Sequence, residues 1–253
     1  MSAHHLQENQ PAGVPPLALT GERTLPDVPE ENYWYRRHLA VYEWIAARVG
    51  GQRVADLACG EGYGSNLLAG AAAEVVGVDA NPEAHEHALL RYRRPNLSFE
   101  RDLVESYAGP ADAIVFLQTI EHIADPGGLL EGFAAAASTS YVSTPNRLTL
   151  APPGAPKSDN PWHLREYIAA EYRELVELHF ARVELYGVFH ARKLRVHELA
   201  IRVGWDRVHR ALRITKPFYG RFVPAIAASD FTIVRERDCD LDRALDFVAV
   251  CHS

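Results

Sequence analysis

Residues 54–69 read VADLACGEGYGSNLLA, and they restrict the fold more than any other part of the chain. An apolar strand stops at Asp56, glycines follow at 60, 62 and 64, and a helical stretch begins at once. Glycine removes the Cβ where a backbone must turn sharply or lie close to a ligand. A tight turn with no ligand is the plain alternative, so the surrounding chain must discriminate.

That surrounding chain alternates. Strands are expected at 53–58, 74–79, 96–102, 112–118, 140–145, 181–189, 230–236 and 245–251. Helices are expected on the 3.6 spacing of Tyr35, Leu39, Tyr42, Ile45 and Ala46, from residue 64, and after Asn81-Pro82. Two more should open at Asp125-Pro126 and run near 168–179. Helices interleaved with apolar strands predict an α/β fold, a Rossmann-like doubly wound, mostly parallel sheet covered on both faces. Residues 1–19 read as a disordered arm, and 20–253 as one domain. Within it, 191–228 breaks the rhythm as a helical insertion rich in Arg and His. Such a basic run is usually a solvated face; a lid or a homodimer contact is the sharper reading.

Of 253 residues 47% are hydrophobic, enough for one sizeable core. The net charge of −7 argues against nucleic acid and anionic membranes as general partners. No apolar run reaches the ~18 residues of a membrane span. The first residues lack the basic and apolar regions of a signal peptide. Three cysteines without paired spacing fit reduced thiols and a cytoplasmic location.

In a doubly wound sheet, ligands sit at the carboxyl ends of strands beside the topological switch point. Strand one ends at Asp56 and strand two at Asp79, 23 residues later, where a carboxylate can hold both ribose hydroxyls. The third ends at Asp102-Leu103, where a carboxylate or amide can meet an adenine edge. A dinucleotide fingerprint would read G-x-G-x-x-G; here the turn reads DLACGEGYG. Asp56 and Glu61 would repel a pyrophosphate but suit a cationic ligand without phosphate, such as S-adenosylmethionine.

With VADLACGEGYG, VVGVD, RDL and DAIVFLQTIEHIADP in this order, residues 50–146 resemble class I S-adenosylmethionine-dependent methyltransferases. The resemblance implies a seven-stranded sheet whose last strand is antiparallel. It places Gly60 and Gly62 under the methionine portion, Asp79 on the ribose, Asp102 and Leu103 at the adenine, and Gln118 beside the methyl group. Tyr33, Arg37, Asp56, Ala58 and Ala80 complete the implied cofactor contacts.

A hydroxyl acceptor needs a base or a metal to lose its proton. Glu121 and His122 follow strand four, and His163 follows the Pro-rich loop 151–161, placed to fold back over the same rim. These three resemble the metal-binding residues of small-RNA 2′-O-methyltransferases and ubiquinone-type O-methyltransferases, with Mg²⁺ or Mn²⁺ implied. The small-RNA enzymes carry a second Glu where this chain has Gln118. A histidine base without metal and a purely structural Glu-His pair stay open. His163, on a loop, is expected to be dispensable for folding. His85 and His87 point apart on a helix, and His4, His5, His179, His190, His197 and His209 read as surface or core residues.

Residues 20–250 further resemble actinobacterial methyltransferases of polymethylated polysaccharide gene clusters, through TGERTLPDVPEENYWYRRHLAVY, STPNRLTLAPPG, NPWHLREY and SDFTIVRERDCDLDRALDFVAV. That resemblance implies an oligosaccharide or small-sugar substrate, foremost the 1-OH of a methylated mannoside. Tyr33, Arg36, Arg37 and His38 would shape the entrance, with Trp34 and Trp162 free to stack on a sugar. The competing readings are methylation of a small phenol or quinone precursor, favoured by an apolar acceptor pocket, and cofactor binding without catalysis, favoured by a closed rim.

Overall fold

The computed structural model describes residues 4, 5, 7, 10–19 and 23–253. Two short strands, β1 (His4–His5) and β2 (Leu17–Ala18), pair antiparallel ahead of the domain. The domain itself is built on β3 (Arg53–Leu57), β4 (Glu74–Val78), β5 (Leu97–Glu100), β6 (Ala113–Leu117), β7 (Thr139–Pro145), β8 (Arg182–His190), β9 (Phe231–Arg235) and β10 (Asp246–His252). They form one sheet in the order β5-β4-β3-β6-β7-β10-β8-β9. β3 lies between β4 and β6, parallel to both, so the chain reverses its direction of travel across the sheet there and opens a crevice at the strand ends.

The first seven strands of that order, with β10 antiparallel to β7 and β8, match the expected arrangement. The sheet nevertheless has eight strands, not seven. β9 adds antiparallel to β8 at the edge, where five residues of FTIVR find a partner that the seven-stranded frame leaves unpaired.

Helices cover both faces, which is why β6 is buried along its whole length. On one face α1 (Asn32–Ala46) and α2 (Tyr63–Leu68) bring Ile45 and Leu68 onto Val75, Val115 and Val248. On the other, α4 (Pro126–Ala136) and α6 (Ala169–Glu177) bring Leu130, Phe133, Tyr172 and Val176 onto Phe116 and Phe247. The start signals act as read. Asn81 accepts from the amides of Glu83 and Ala84 to cap α3 (Pro82–Arg91), and Asp125 accepts from Gly128 to cap α4. A short α5 (Arg147–Leu150), capped by Asn146, precedes the Pro-rich loop.

One boundary needs correction. The segment before residue 20 is packed where it is described: Val14, Leu17 and Ala18 are buried, and Leu17 clusters with Leu25 and Val28. The carbonyl of Pro15 accepts from His87 Nδ1, 2.8 Å away, which ties the segment to α3. Apolar side chains at 14, 17, 18, 25 and 28, irregularly spaced in a Pro-containing stretch, give too little periodicity to show this. Of His4 and His5 only the backbone lies within the described residues. The insertion is helical, as α7 (Arg192–Arg202), α8 (Trp205–Ala211) and α9 (Thr215–Phe222). No helix among the described residues is long and apolar enough to cross a membrane.

Candidate active site

The turn after β3 concentrates left-handed backbone. Ala58, Gly60 and Gly62 have φ of 57°, 58° and 93°. The three glycines serve different ends. A Cβ on Gly62 would stand 2.9 Å from the Phe99 ring, and one on Gly64 2.1 Å from the Tyr42 ring, so both are small because helices and strands close on them. A Cβ on Gly60 would meet nothing nearer than Arg23 Cβ at 4.0 Å, because that side of the turn faces a cavity. Gln118, at the end of β6, is also left-handed with φ 52°. Non-glycine residues held there cost about 1–2 kcal/mol each, and Ala58 and Gln118 hold it on the cavity wall.

The acids of the turn divide by direction. Asp56 is fully buried beneath it, accepting from Tyr42 Oη at 3.1 Å and Ser65 Oγ at 2.6 Å. Burial pushes its carboxyl up to about 7, against the two hydroxyls that favour the charge. Glu61 also turns inward, onto Tyr92 Oη at 2.8 Å and His87 Nε2 at 3.1 Å; burial raises it too. Glu61 still contributes to the cavity lining, with its carboxylate held on Tyr92 and His87; Asp79 lines the cavity as well. Its Oδ2 accepts from the Gly60 amide at 2.8 Å and its Oδ1 from the Asn81 amide at 2.9 Å, so one carboxylate sets the turn and marks the cavity floor.

The buried Asp56 gives a pH expectation. Its pKa is raised on folding from the ordinary 3.8, so its contribution is complete below pH ~4 and is lost as pH rises through ~7. Asp56→Asn stays neutral throughout. The stability of wild type relative to this variant should therefore fall by roughly 1–3 kcal/mol between pH 4.5 and 8 in urea titrations. A constant gap would show that the carboxyl is not held neutral.

The cavity, about 840 Å³, opens at the carboxyl ends of β3, β4, β6 and β7. Ala58, Gly60, Asp79, Ala80, Gln118, Glu121, His122 and His163 all line it, as do Trp34, His38 and Trp162. Other expected contacts do not. Asp56 and Gly62 lie behind the turn, for the packing reasons above. Arg37 is buried with its guanidinium on Asp246 (Nε to Oδ2 2.5 Å) and the Leu245 carbonyl, so it braces α1 against β10. Tyr33 donates its hydroxyl or accepts at His190 Nε2, 2.8 Å away, outside the cavity. Asp102 and Leu103 follow β5 at the surface, with the Leu103 amide on Asp102 Oδ1.

Glu121, His122 and His163 converge: one ligand atom from each lies within 4.8 Å of the others. Glu121 is buried on Thr144 Oγ1 (3.1 Å), and burial pushes its carboxyl up to about 8. His122 Nδ1 donates to the Trp162 carbonyl at 2.9 Å, which leaves Nε2 as the basic nitrogen. His163 is fixed in the same way. Its Nδ1 donates to Glu166 Oε1 at 2.6 Å, and Nε2 accepts from Asn160 Nδ2 at 3.0 Å.

Glu166 and Asn160 were not foreseen; the one available signal was a carboxylate three residues after His163 in HLRE. Glu166 is buried and also takes the Ser158 amide at 2.9 Å. Burial acts to raise its carboxyl, but the bonds from Ser158 and His163 prevail and hold it below the usual range. This network corrects the expectation for His163. The residue is only 6% exposed and knotted into its loop, so its removal should cost stability.

A doubly wound sheet with a glycine cradle, a carboxylate at the end of the second strand and a left-handed Gln118 at the fourth defines a class I methyltransferase. The comparisons agree. A family model described as a methyltransferase domain matches residues 32–199. A probable S-adenosylmethionine-dependent methyltransferase of Mycolicibacterium smegmatis is 38% identical over 92% of this chain and 94% of its own. One of Mycobacterium tuberculosis is 36% identical over 92% and 89%. Among solved structures, a possible histamine N-methyltransferase from Thermotoga maritima superposes with a TM-score of 0.58 at 12% identity, covering 88% of this chain and 94% of that one. The chain belongs to the methyltransferase-domain family and is an S-adenosylmethionine-dependent methyltransferase.

Proposed function

We propose that this methyltransferase alkylates a sugar hydroxyl, foremost the 1-OH of a methylated mannoside, with Glu121, His122 and His163 holding the acceptor through Mg²⁺ or Mn²⁺. The convergence of those three side chains on the wall shared with Gly60 and Asp79 carries the reading. Polar and aromatic groups together, Arg23, Glu31, Trp34, Asn160 and Trp162, favour a sugar over a phenol. The rim is not closed, since Trp34 and Trp162 are 38% and 46% exposed, which speaks against binding without catalysis.

The residues fit both groups. At Gly60 the space for a Cβ is open, and Asp79 is placed for ribose hydroxyls. The Asp79 amide donates to the Glu100 carbonyl at 3.2 Å, so the strand end before Asp102 and Leu103 is adjacent and the adenine would extend that way. The cofactor supplies an electrophilic methyl on a sulfonium. For the cation, two basic imidazole nitrogens and a carboxyl within 4.8 Å make a donor set, and a buried Glu121 lacks a counter-charge that the cation would provide. Such a cation would lower the pKa of a bound hydroxyl. His122 Nε2 stands ready to take that proton, whereas His163 Nε2 would first have to give up its bond from Asn160.

Labelled methyl transfer to methylated and plain mannosides and to catechol-type phenols, with and without chelator, tests the reading. Transfer to sugars that chelator suppresses supports it; transfer to phenols alone overturns it. A further expectation concerns Glu166→Gln. The amide can no longer accept from both His163 and Ser158, so His163 loses its fixed tautomer. kcat/KM should fall ~10–100-fold, the scale for groups that orient a ligand histidine, with the Kd for S-adenosylmethionine unchanged in calorimetry. Full activity would show that the tautomer is not needed.

A further inference from the structure

Residues 192–223 carry nine Arg and Lys against two acids, Glu198 and Asp206, a local +7 in a chain whose total is −7. The remainder therefore carries −14. The charge of the whole chain hides a basic module.

The module has its own core. Leu194 joins it to the domain core, while inside it His209 is buried and Phe218 stacks with His197 and His209 at interplanar angles of 18° and 13°. On the other side of α7, Val196, Leu199 and the capping Val203 recur at three- and four-residue spacing and share one face. They are 67%, 53% and 87% exposed, and Val208 on α8 and Leu212 just past its end continue the pattern at 45% and 63%. Arg202 and Arg210 pair within their helices with Glu198 and Asp206. Arg192, Arg195, Arg213, Lys216 and Arg221 make no ion pair among the described residues. Exposed aliphatics flanked by unneutralised Arg are not needed to hold the module together.

We propose that the outer face of α7 and α8 docks on an anionic lipid surface. A basic face with aliphatic side chains lies in the headgroup region, with the aliphatics inserted and the cations on lipid phosphates. A second copy related by a two-fold would instead set +7 against +7. The position has a use. Asn32 Nδ2 donates to the Val223 and Ile226 carbonyls at 2.8 and 3.0 Å, tying the end of the module to the start of α1. α1 also carries Trp34 of the cavity, so docking holds the cavity mouth beside the lipid surface.

Sedimentation with vesicles of phosphatidylcholine, alone or with one-quarter phosphatidylglycerol, tests this. Wild type should bind the anionic vesicles, lose them as salt rises, and ignore the neutral ones. Val203→Glu with Leu212→Glu should weaken binding at least tenfold, and Arg195→Gln and Arg213→Gln about fivefold each. All these side chains are exposed, so melting temperature and S-adenosylmethionine affinity should not change. Equal, weak partitioning to both vesicles overturns the proposal. So does a wild-type dimer in analytical ultracentrifugation that Val203→Glu dissociates, because the face then belongs to a second copy.

Discussion

Gly60→Val should abolish measurable S-adenosylmethionine binding, and Asp79→Ala should weaken it ~30–150-fold. At Gly60 two effects add. Valine is strained at φ 58°, and its branch points into the space that a Cβ would enter unopposed, the space the ligand needs. At Asp79, one carboxylate holds the amides of Gly60 and Asn81 and faces the ribose position. Hydrogen bonds to a charged group contribute about 1.5–3 kcal/mol, and ~2–3 kcal/mol converts to the stated loss. Asp79→Asn, which keeps one acceptor, should fall between. Titration calorimetry separates the outcomes: an unchanged Kd in Asp79→Ala would detach this residue from the cofactor. Gly62→Ala is the control, because its Cβ would collide with Phe99 and Ala88 and so costs stability rather than ligand space.

The contrast between these glycines shows what the sequence carries. Alternation, capping and the apolar runs depend on neighbours in the chain, so the strands, α3 and α4 were readable. Gly60 and Gly62 look alike in sequence, and only tertiary packing against Phe99 separates their roles. Asp56 and Glu61 were read as facing the ligand. Both instead turn inward, because Tyr42, Ser65, Tyr92 and His87 arrive from other elements to receive them. Arg37 was misplaced for the same reason: its partner Asp246 is 209 residues away. Asp79 and Gln118, at the ends of β4 and β6, line the cavity because fold topology fixes where a strand end points, whereas Asp102 and Leu103 after β5 do not reach it. The strand at 230–236 is legible as β9, but its place as an eighth strand at the edge and the packing of Leu17 lie beyond local pattern.

The same logic isolates the acceptor chemistry, where the fold brings His163 beside His122, 41 positions away in the chain. Chelation should reduce turnover at least a hundredfold, with recovery on adding Mg²⁺ or Mn²⁺, while cofactor affinity barely moves. On the proposed reading the cofactor lies on the turn at Gly60 and on Asp79, whereas the donor set comes from Glu121, His122 and the loop at His163. Removing a cation therefore leaves the cradle intact. His122 and His163 each direct Nδ1 to a protein oxygen, the Trp162 carbonyl and the Glu166 carboxylate, so both Nε2 atoms are kept basic. His122→Ala and His163→Ala should both abolish the response to added metal. They should differ in stability. His163→Ala also strands the buried Glu166 and should melt lower, while His122, partly open to the cavity, should not. Full turnover in chelator would remove the cation from the reading. A histidine would then remain as general base, with a pH–rate profile rising through the imidazole range as the expected sign.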